Sequence, residues 1–340
     1  MEPAASTGPA WPGVRLHVVT GKGGTGKTTV AAALALTLAS HGRRILLAEV
    51  EGRQGISQTF DVPPLPTQER LVVRVSGGGE IWGLSVDAMA ALVEYLDVFY
   101  HLGRAGKALQ RLGAVDFATT IAPGVRDVLS IGKVYDCVRR SADRRRGAPD
   151  GVPASYDAVI LDAPPTGRVV RFLNVNSEVA DLAKMGPIRH QANSITELLR
   201  SPACAVHVVT LLEEMPVQEV SDTIAELRRT GLPVGAVIVN QAREPLLSDE
   251  DLAAALAGRL DTAALAADLA RLGLPHDAAT VDGLASQAKA HAERIALEDE
   301  QYAAVEALAR PVYVLPSLPD GADADSVREL AGHLADQGTW

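Results

Sequence analysis

The chain has 340 residues, 47% hydrophobic and 22% charged, and its 32 Lys and Arg against 42 Asp and Glu give a net charge of −10. This composition excludes a disordered polyanion and a fibrous repeat, and the acidic balance argues against a general nucleic-acid surface. The length suits two domains or one large α/β domain with insertions, and the longest strongly apolar stretch, Val30 to Ala39, is far shorter than the roughly 18 to 20 residues a membrane-spanning helix needs.

Residues 1–13 (MEPAASTGPAWPG) have neither the basic start nor the apolar centre of an export signal, so a flexible N-terminus and a cytoplasmic location are expected. Strands are then predicted at Leu16 to Thr20, Arg44 to Val50, Leu71 to Ser76, Tyr156 to Asp162, Ala205 to Leu211, Gly235 to Asn240 and Val312 to Leu315. Most are continuous β-branched or aliphatic runs, the pattern of strands covered on both faces. Longer Ala- and Leu-rich segments of helical spacing lie between them, which predicts an α/β fold with a mostly parallel sheet flanked by helices. A helical stretch from Asp87 to Arg140, closed by a polar loop, reads as an inserted subdomain covering 87–145 and part of 171–200 within a single domain of residues 1–340. A second Ala-rich, acidic helical stretch runs from Ser248 to Ala309 with a break expected at Gly273-Leu274-Pro275. Cys137 and Cys204 form no CxxC pair and are expected to be buried thiols.

The first strand runs directly into Gly21-Lys22-Gly23-Gly24-Thr25-Gly26-Lys27-Thr28-Thr29, which fits GxxxxGK[ST] between a strand and a helix. The glycines let backbone N–H groups turn inward around phosphate oxygens, and the next helix presents its positive end to the same anion. In this P-loop NTPase reading Lys27 reaches the β- and γ-phosphates and Thr28 places its hydroxyl on Mg²⁺. Gly21, Gly23 and Gly26 also spell the dinucleotide pattern GxGxxG, with Glu49 or Glu51 ending the next strand. Lys27-Thr28-Thr29 decides for a triphosphate, since a dinucleotide turn has no use for that cation and those hydroxyls. The strand Ala158 to Asp162 ends in an acid that can hold Mg²⁺ through water, and Ala163-Pro164-Pro165-Thr166-Gly167-Arg168 follows as a turn able to track the γ-phosphate.

On these residues the chain resembles the ArsA-like ATPases, which include arsenical-pump ATPases and the ATPases that deliver tail-anchored membrane proteins. GKGGTGKTT is similar to the family's deviant phosphate loop, and LDAPPTGRVVRFL to its second switch, with Arg168 where the family pattern has His. LLAEVEGRQGISQTF looks like the first switch, with Glu51 in place of its Asp and the following Pro-Ala-His missing. GAVIVNQ resembles the strand ending in the Asn-Gln of the family, and Val314 to Pro319 its adenine loop.

The resemblance implies ATP and Mg²⁺ as cofactors, with the base contacted by Asn240, Pro316 and Leu318. It implies that Lys22 reaches nucleotide across a dimer interface, that Thr28 and Asp162 hold Mg²⁺, and that Glu51 positions the attacking water, a role Glu49 is placed to share. A homodimer or a heterodimer with a paralogous ATPase follows, with a protein client or partner. The departures also matter: Arg243-Glu244-Pro245 stands where a zinc CxxC would be, so no zinc is expected, and two isolated cysteines cannot supply an arsenite site. The altered first switch leaves open a weakly catalytic or non-catalytic subunit beside an active paralogue. A ParA- or MinD-like positioning ATPase shares the Lys22-type loop, but the acidic segment from Asp323 to Trp340 lacks a basic membrane-binding face. Neither nucleic acid nor direct membrane insertion is expected.

Overall fold

The computed structural model describes residues 11–50, 52–91, 123–142, 152–182, 187–318 and 323–338. Among them eight strands form one sheet: β1 (Leu16–Gly21), β2 (Arg44–Val50), β3 (Arg70–Arg74), β4 (Glu80–Val86), β5 (Ala158–Asp162), β6 (Cys204–Thr210), β7 (Val234–Ala242) and β8 (Val312–Pro316). Their spatial order is β3-β4-β2-β5-β1-β6-β7-β8, and every neighbouring pair is parallel except β3 with β4. The helices are α1 (Lys27–Ala39), α2 (Gly55–Thr59), α3 (Pro123–Ala142), α4 (Thr166–Leu182), α5 (Pro187–Arg200), α6 (Glu214–Thr230), α7 (Asp249–Leu256), α8 (Thr262–Arg271), α9 (Ala278–Glu306) and α10 (Ala324–Asp336).

Alternation along the strands divides the core between the two sheet faces. Ile45, Leu47, Ile160, Val209 and Ile238 pack with α1 and α10, while Leu46, Ala48, Val159, Leu161 and Val208 pack with α3, α4, α5 and α6. Each such aliphatic side chain contributes about 1.5–3 kcal/mol on burial. Helix α1 is Ala-rich and buried almost all round, which lets it lie flat between the sheet and α10. There the Thr37 hydroxyl stands 2.9 Å from the carbonyl of Ala33 and 3.0 Å from that of Ala331 in α10, so a polar group in the apolar layer is satisfied from both helices.

The seven expected strands are all present, with ends moved by a residue or two. The eighth, β4, is absent from the apolar-run reading because Gly77-Gly78-Gly79 precedes it and Gly83 interrupts it. It nevertheless pairs in parallel along the whole of β2. Gly83 is required there, since a Cβ would stand 2.7 Å from Leu65 and Val72 side-chain carbons that close over the sheet. The C-terminal helical stretch breaks twice rather than once. Gly258, in a left-handed conformation (φ +64°), ends α7, and the expected Gly273 (φ +72°) ends α8. Asp261 and Asp277 then cap α8 and α9 through backbone N–H groups. Of the expected insertion, α3 is described, and residues 92–122 and 143–151 lie outside the described residues.

Strand β1 sits between β5 and β6, while the chain leaving it crosses to β2 on one side and later returns to β6 on the other. The carboxyl ends of these strands open a crevice of the kind in which α/β sheets bind ligands. The loop at 22–26, Asp162, the turn at 163–165 and the start of α4 all lie at that edge.

Candidate nucleotide site

The loop between β1 and α1 closes on one backbone carbonyl. Thr25 N, Thr25 Oγ1 and Lys27 Nζ lie 3.3, 2.9 and 3.3 Å from the carbonyl oxygen of Lys22. Gly24 (φ +88°) and Gly26 (φ +81°) supply the left-handed turns this needs, and a Cβ on Gly21 would stand 2.3 Å from the carbonyl of Val209 in β6. Helix α1 starts at Gly26 with no side-chain cap and no acid in its first turn, so its leading N–H groups remain available to an anion. Lys27 is 8% exposed, Thr29 is half-buried on the first turn, and Gly23 and Gly24 face solvent.

The Thr28 hydroxyl donates to Asp162 at 2.6 Å, joining the start of α1 to the end of β5. Burial pushes the Asp162 carboxyl above its ordinary range. The Thr28 bond and the charges of Lys27 and Arg53 act against that shift, and Glu49, opposite Asp162 in the β2–β5 register, adds to it. A hydroxyl and a carboxylate beside a phosphate loop are the oxygen donors a hard divalent cation prefers. Among the described residues no three His, Cys, Asp or Glu side chains converge as a metal group, so Mg²⁺ here would take its remaining ligands from nucleotide and water. The Thr20 hydroxyl donates to the carbonyl of Pro164 at 2.7 Å and holds the turn of residues 163–165 against the end of β1; the expected turn is shorter because Thr166, Gly167 and Arg168 already form the first residues of α4.

Glu49 is 1% exposed, and its two carboxylate oxygens accept from the backbone N–H groups of Gln54 at 3.0 Å and Ile56 at 3.3 Å. It therefore anchors the start of α2, the segment that resembles the first switch. That engagement does not support the shared water-positioning role its strand spacing suggested. Glu51 lies outside the described residues.

On the far side of the loop, Asn240 at the end of β7 is 4% exposed and donates from Nδ2 to the carbonyl of Thr25 at 2.9 Å. Gln241 next to it has φ +57°, a strained conformation for a residue with a side chain. Pro316 closes β8 opposite Ala242, Ser317 N donates to the Ala242 carbonyl at 2.8 Å, and Leu318 packs against the α1 face. Asn240 thus touches the phosphate loop, while Pro316 and Leu318 lie at and just after the end of the neighbouring strand β8.

Lys22 is turned toward α6. Its Nζ lies 3.4 Å from Glu219 Oε1, while Glu219 Oε2 accepts from the Thr166 hydroxyl at 2.8 Å. Sequence reasoning missed Glu219, Glu49 as a loop anchor, and Thr20. Glu219 belongs to an ordinary amphipathic helix, and its partners are 197 and 53 residues away, so no local pattern marks it.

A sequence profile of the family described as anion-transporting ATPases, the ArsA ATPases, matches residues 14–199. The chain is 50% identical over 332 residues to the ATPase BagA of Mycobacterium tuberculosis, covering 96% of each protein. It is 25% identical over 257 residues to the ATPase GET3 of Kluyveromyces lactis, covering 66% of this chain and 70% of that one. No helix among the described residues is long and apolar enough to cross a membrane. With the matched span holding the phosphate loop, Asp162 and the turn after it on a parallel sheet, the chain belongs to the ArsA family and is a P-loop ATP hydrolase.

Proposed function

We propose that Mg·ATP binding drives this chain to close on a second ATPase subunit, either its own copy or a paralogue, and that hydrolysis reopens the pair to handle a protein client or partner. Lys22 carries this reading. The phosphate-loop pattern leaves its position unspecified, it stands at the mouth of the site, and its side chain is one-third exposed rather than folded into its own loop. In the closed pair Lys22 contacts the phosphates held by the opposite subunit. Gly21 to Thr29 cradle the chain's own phosphates, Lys27 neutralises charge on the transferred group, and Asn240, Pro316 and Leu318 contact adenine. Bound Mg²⁺ would neutralise phosphate charge, and Thr28 and Asp162 would hold it, Asp162 through water. Glu51 positions the water. Residues 87–145 and part of 171–200 supply the client-facing side of one ATPase domain.

A second reading, in which turnover needs a paralogue, is favoured by the departure at Glu51 and the engagement of Glu49 with the α2 backbone. Turnover and molar mass with Mg·ATP, measured on the chain alone and mixed with a paralogous ATPase, separate the two. Association and turnover by the chain alone support the homodimer, and their appearance only in the mixture supports the hetero-oligomer. A chain that stays monomeric with ATP in both experiments rejects the proposal.

A further inference from the structure

We propose that Glu219 is a positioning residue that holds Lys22 inside its own subunit until the γ-phosphate shifts the 163–165 turn and the start of α4. The proposal rests on the trans-acting role given to Lys22. Its basis is the bridge made by a single carboxylate: Oε1 pairs with Lys22 at 3.4 Å and Oε2 accepts from Thr166, the first residue of α4, at 2.8 Å.

Three elements therefore meet on one side chain. Lys22 comes from the phosphate loop, Thr166 from the start of α4 just after the turn that follows Asp162, and Glu219 from α6, which packs on the sheet and on α4. Thr166 is 5% exposed, so its hydroxyl needs this acceptor, whereas Lys22 and Glu219 are each about one-third exposed. Such a pair is weak and is readily exchanged for a better partner. A terminal phosphate is that partner, carrying more charge and more acceptor oxygens than one carboxylate. The same phosphate lies next to Asp162 and so acts on the turn that leads into Thr166. When Thr166 moves away, Glu219 loses the bond that aims it at Lys22, and the lysine is free to cross to the opposite subunit. Glu219 thereby makes release of Lys22 depend on the triphosphate state and suppresses association in nucleotide-free protein.

The test uses the full chain and Glu219→Gln, which keeps an acceptor for Thr166 and removes the charge facing Lys22. The first readout is the rate at which Lys22 is reductively methylated in nucleotide-free protein, followed by peptide mass spectrometry. A rise of about threefold to fivefold is expected, the scale of an exposed ion pair. The second is the concentration of a non-hydrolysable ATP analogue that half-saturates association, expected to fall by a similar factor with nucleotide affinity unchanged. Methylation of Lys289, an exposed lysine on α9 far from the bridge, should not change in Glu219→Gln, which distinguishes release of Lys22 from a general loosening of the fold. An unchanged Lys22 methylation rate overturns the latch, as does an equal rise at Lys22 and Lys289 or an unchanged half-saturating concentration for association. Absence of association in wild type, with methylation raised in the variant, rejects instead the dimer reading on which the latch depends.

Discussion

Asn240 Nδ2 occupies the space that a side chain on Gly26 would need: it stands 2.3 Å from the position of a Cβ there while donating to the carbonyl of Thr25 at 2.9 Å. The end of β7 thus shapes the phosphate loop from below, and Gly26 is required both for its φ of +81° and for this contact. Gly26→Ala should therefore weaken ATP binding by at least about tenfold, with the left-handed conformation alone costing about 1–2 kcal/mol. In an Asn240→Gly background the steric part disappears, so Gly26→Ala should cost less there. Equal costs in both backgrounds, measured by calorimetric titration of ATP, would show that the two positions are independent.

On the base contact proposed above, Asn240 Oδ1 would accept from the adenine amino group while Nδ2 keeps its bond to the loop. A guanine presents a carbonyl at that place, and two acceptors would face each other. ATP should be preferred over GTP by at least about tenfold in competition binding. Equal affinity removes Asn240 from base recognition.

Asp162 should show opposite effects on stability and on turnover. Its carboxyl is raised mainly by burial, so the ionised form destabilises the fold at neutral pH. Asp162→Asn keeps an acceptor for Thr28 and removes the buried charge. Its melting temperature should be unchanged or higher by about 2 °C, while Mg-dependent turnover falls by at least about a hundredfold. A destabilised variant with preserved turnover would mean that Asp162 serves packing rather than the cation.

Away from the site, His207 Nδ1 accepts from the backbone N–H of Ala236 at 3.2 Å, so its proton sits on Nε2 and points to His17 Nδ1 at 3.1 Å. Both rings are 1% exposed and neutral. Burial lowers both, His207 to about 3, and His207 together with Arg43 lowers His17 further. The sign follows from linkage. Below about pH 6.5 the unfolded chain binds protons at both histidines while the folded chain does not, so stability present above that pH is lost as pH falls. His207, held to about 3, should cost on the order of 1 kcal/mol at pH 5.5, and His17 adds to the loss in the same direction. Thermal melts at pH 7.5 and 5.5 should show this loss, and His17→Gln should show a smaller one. A pH-independent difference between wild type and variant would contradict the neutral pair.

The sheet and the phosphate loop were legible because their signals are local. Continuous apolar runs mark strands buried on both faces, and the glycine spacing marks the loop. Strand β4 was hidden because Gly83 is there to admit Leu65 and Val72, a demand set by tertiary packing. Glu219 and Glu49 were hidden in function for a related reason. One bonds partners brought together by the sheet order, and the other, beside Asp162 in the register, spends both carboxylate oxygens on the α2 backbone, a contact set by the loop after β2. The acidic helix of Ser248 to Ala309 was legible in kind but not in its second break, since Gly258 alone is a weaker stop than Gly273 followed by Pro275.

The trans-acting role of Lys22 is the central claim, and one variant tests it. Lys22→Ala, with wild type and with any required paralogue present, should keep ATP affinity within about twofold, because its own Lys27, Thr28 and loop backbone remain. Turnover should fall by at least about a hundredfold and ATP-driven association should be lost, the scale of a missing charge stabiliser in the transition state. Measured together as titration calorimetry, phosphate release and molar mass, binding and hydrolysis should come apart. A variant that keeps full turnover and full ATP-dependent association would contradict the closure of one subunit on another through this lysine.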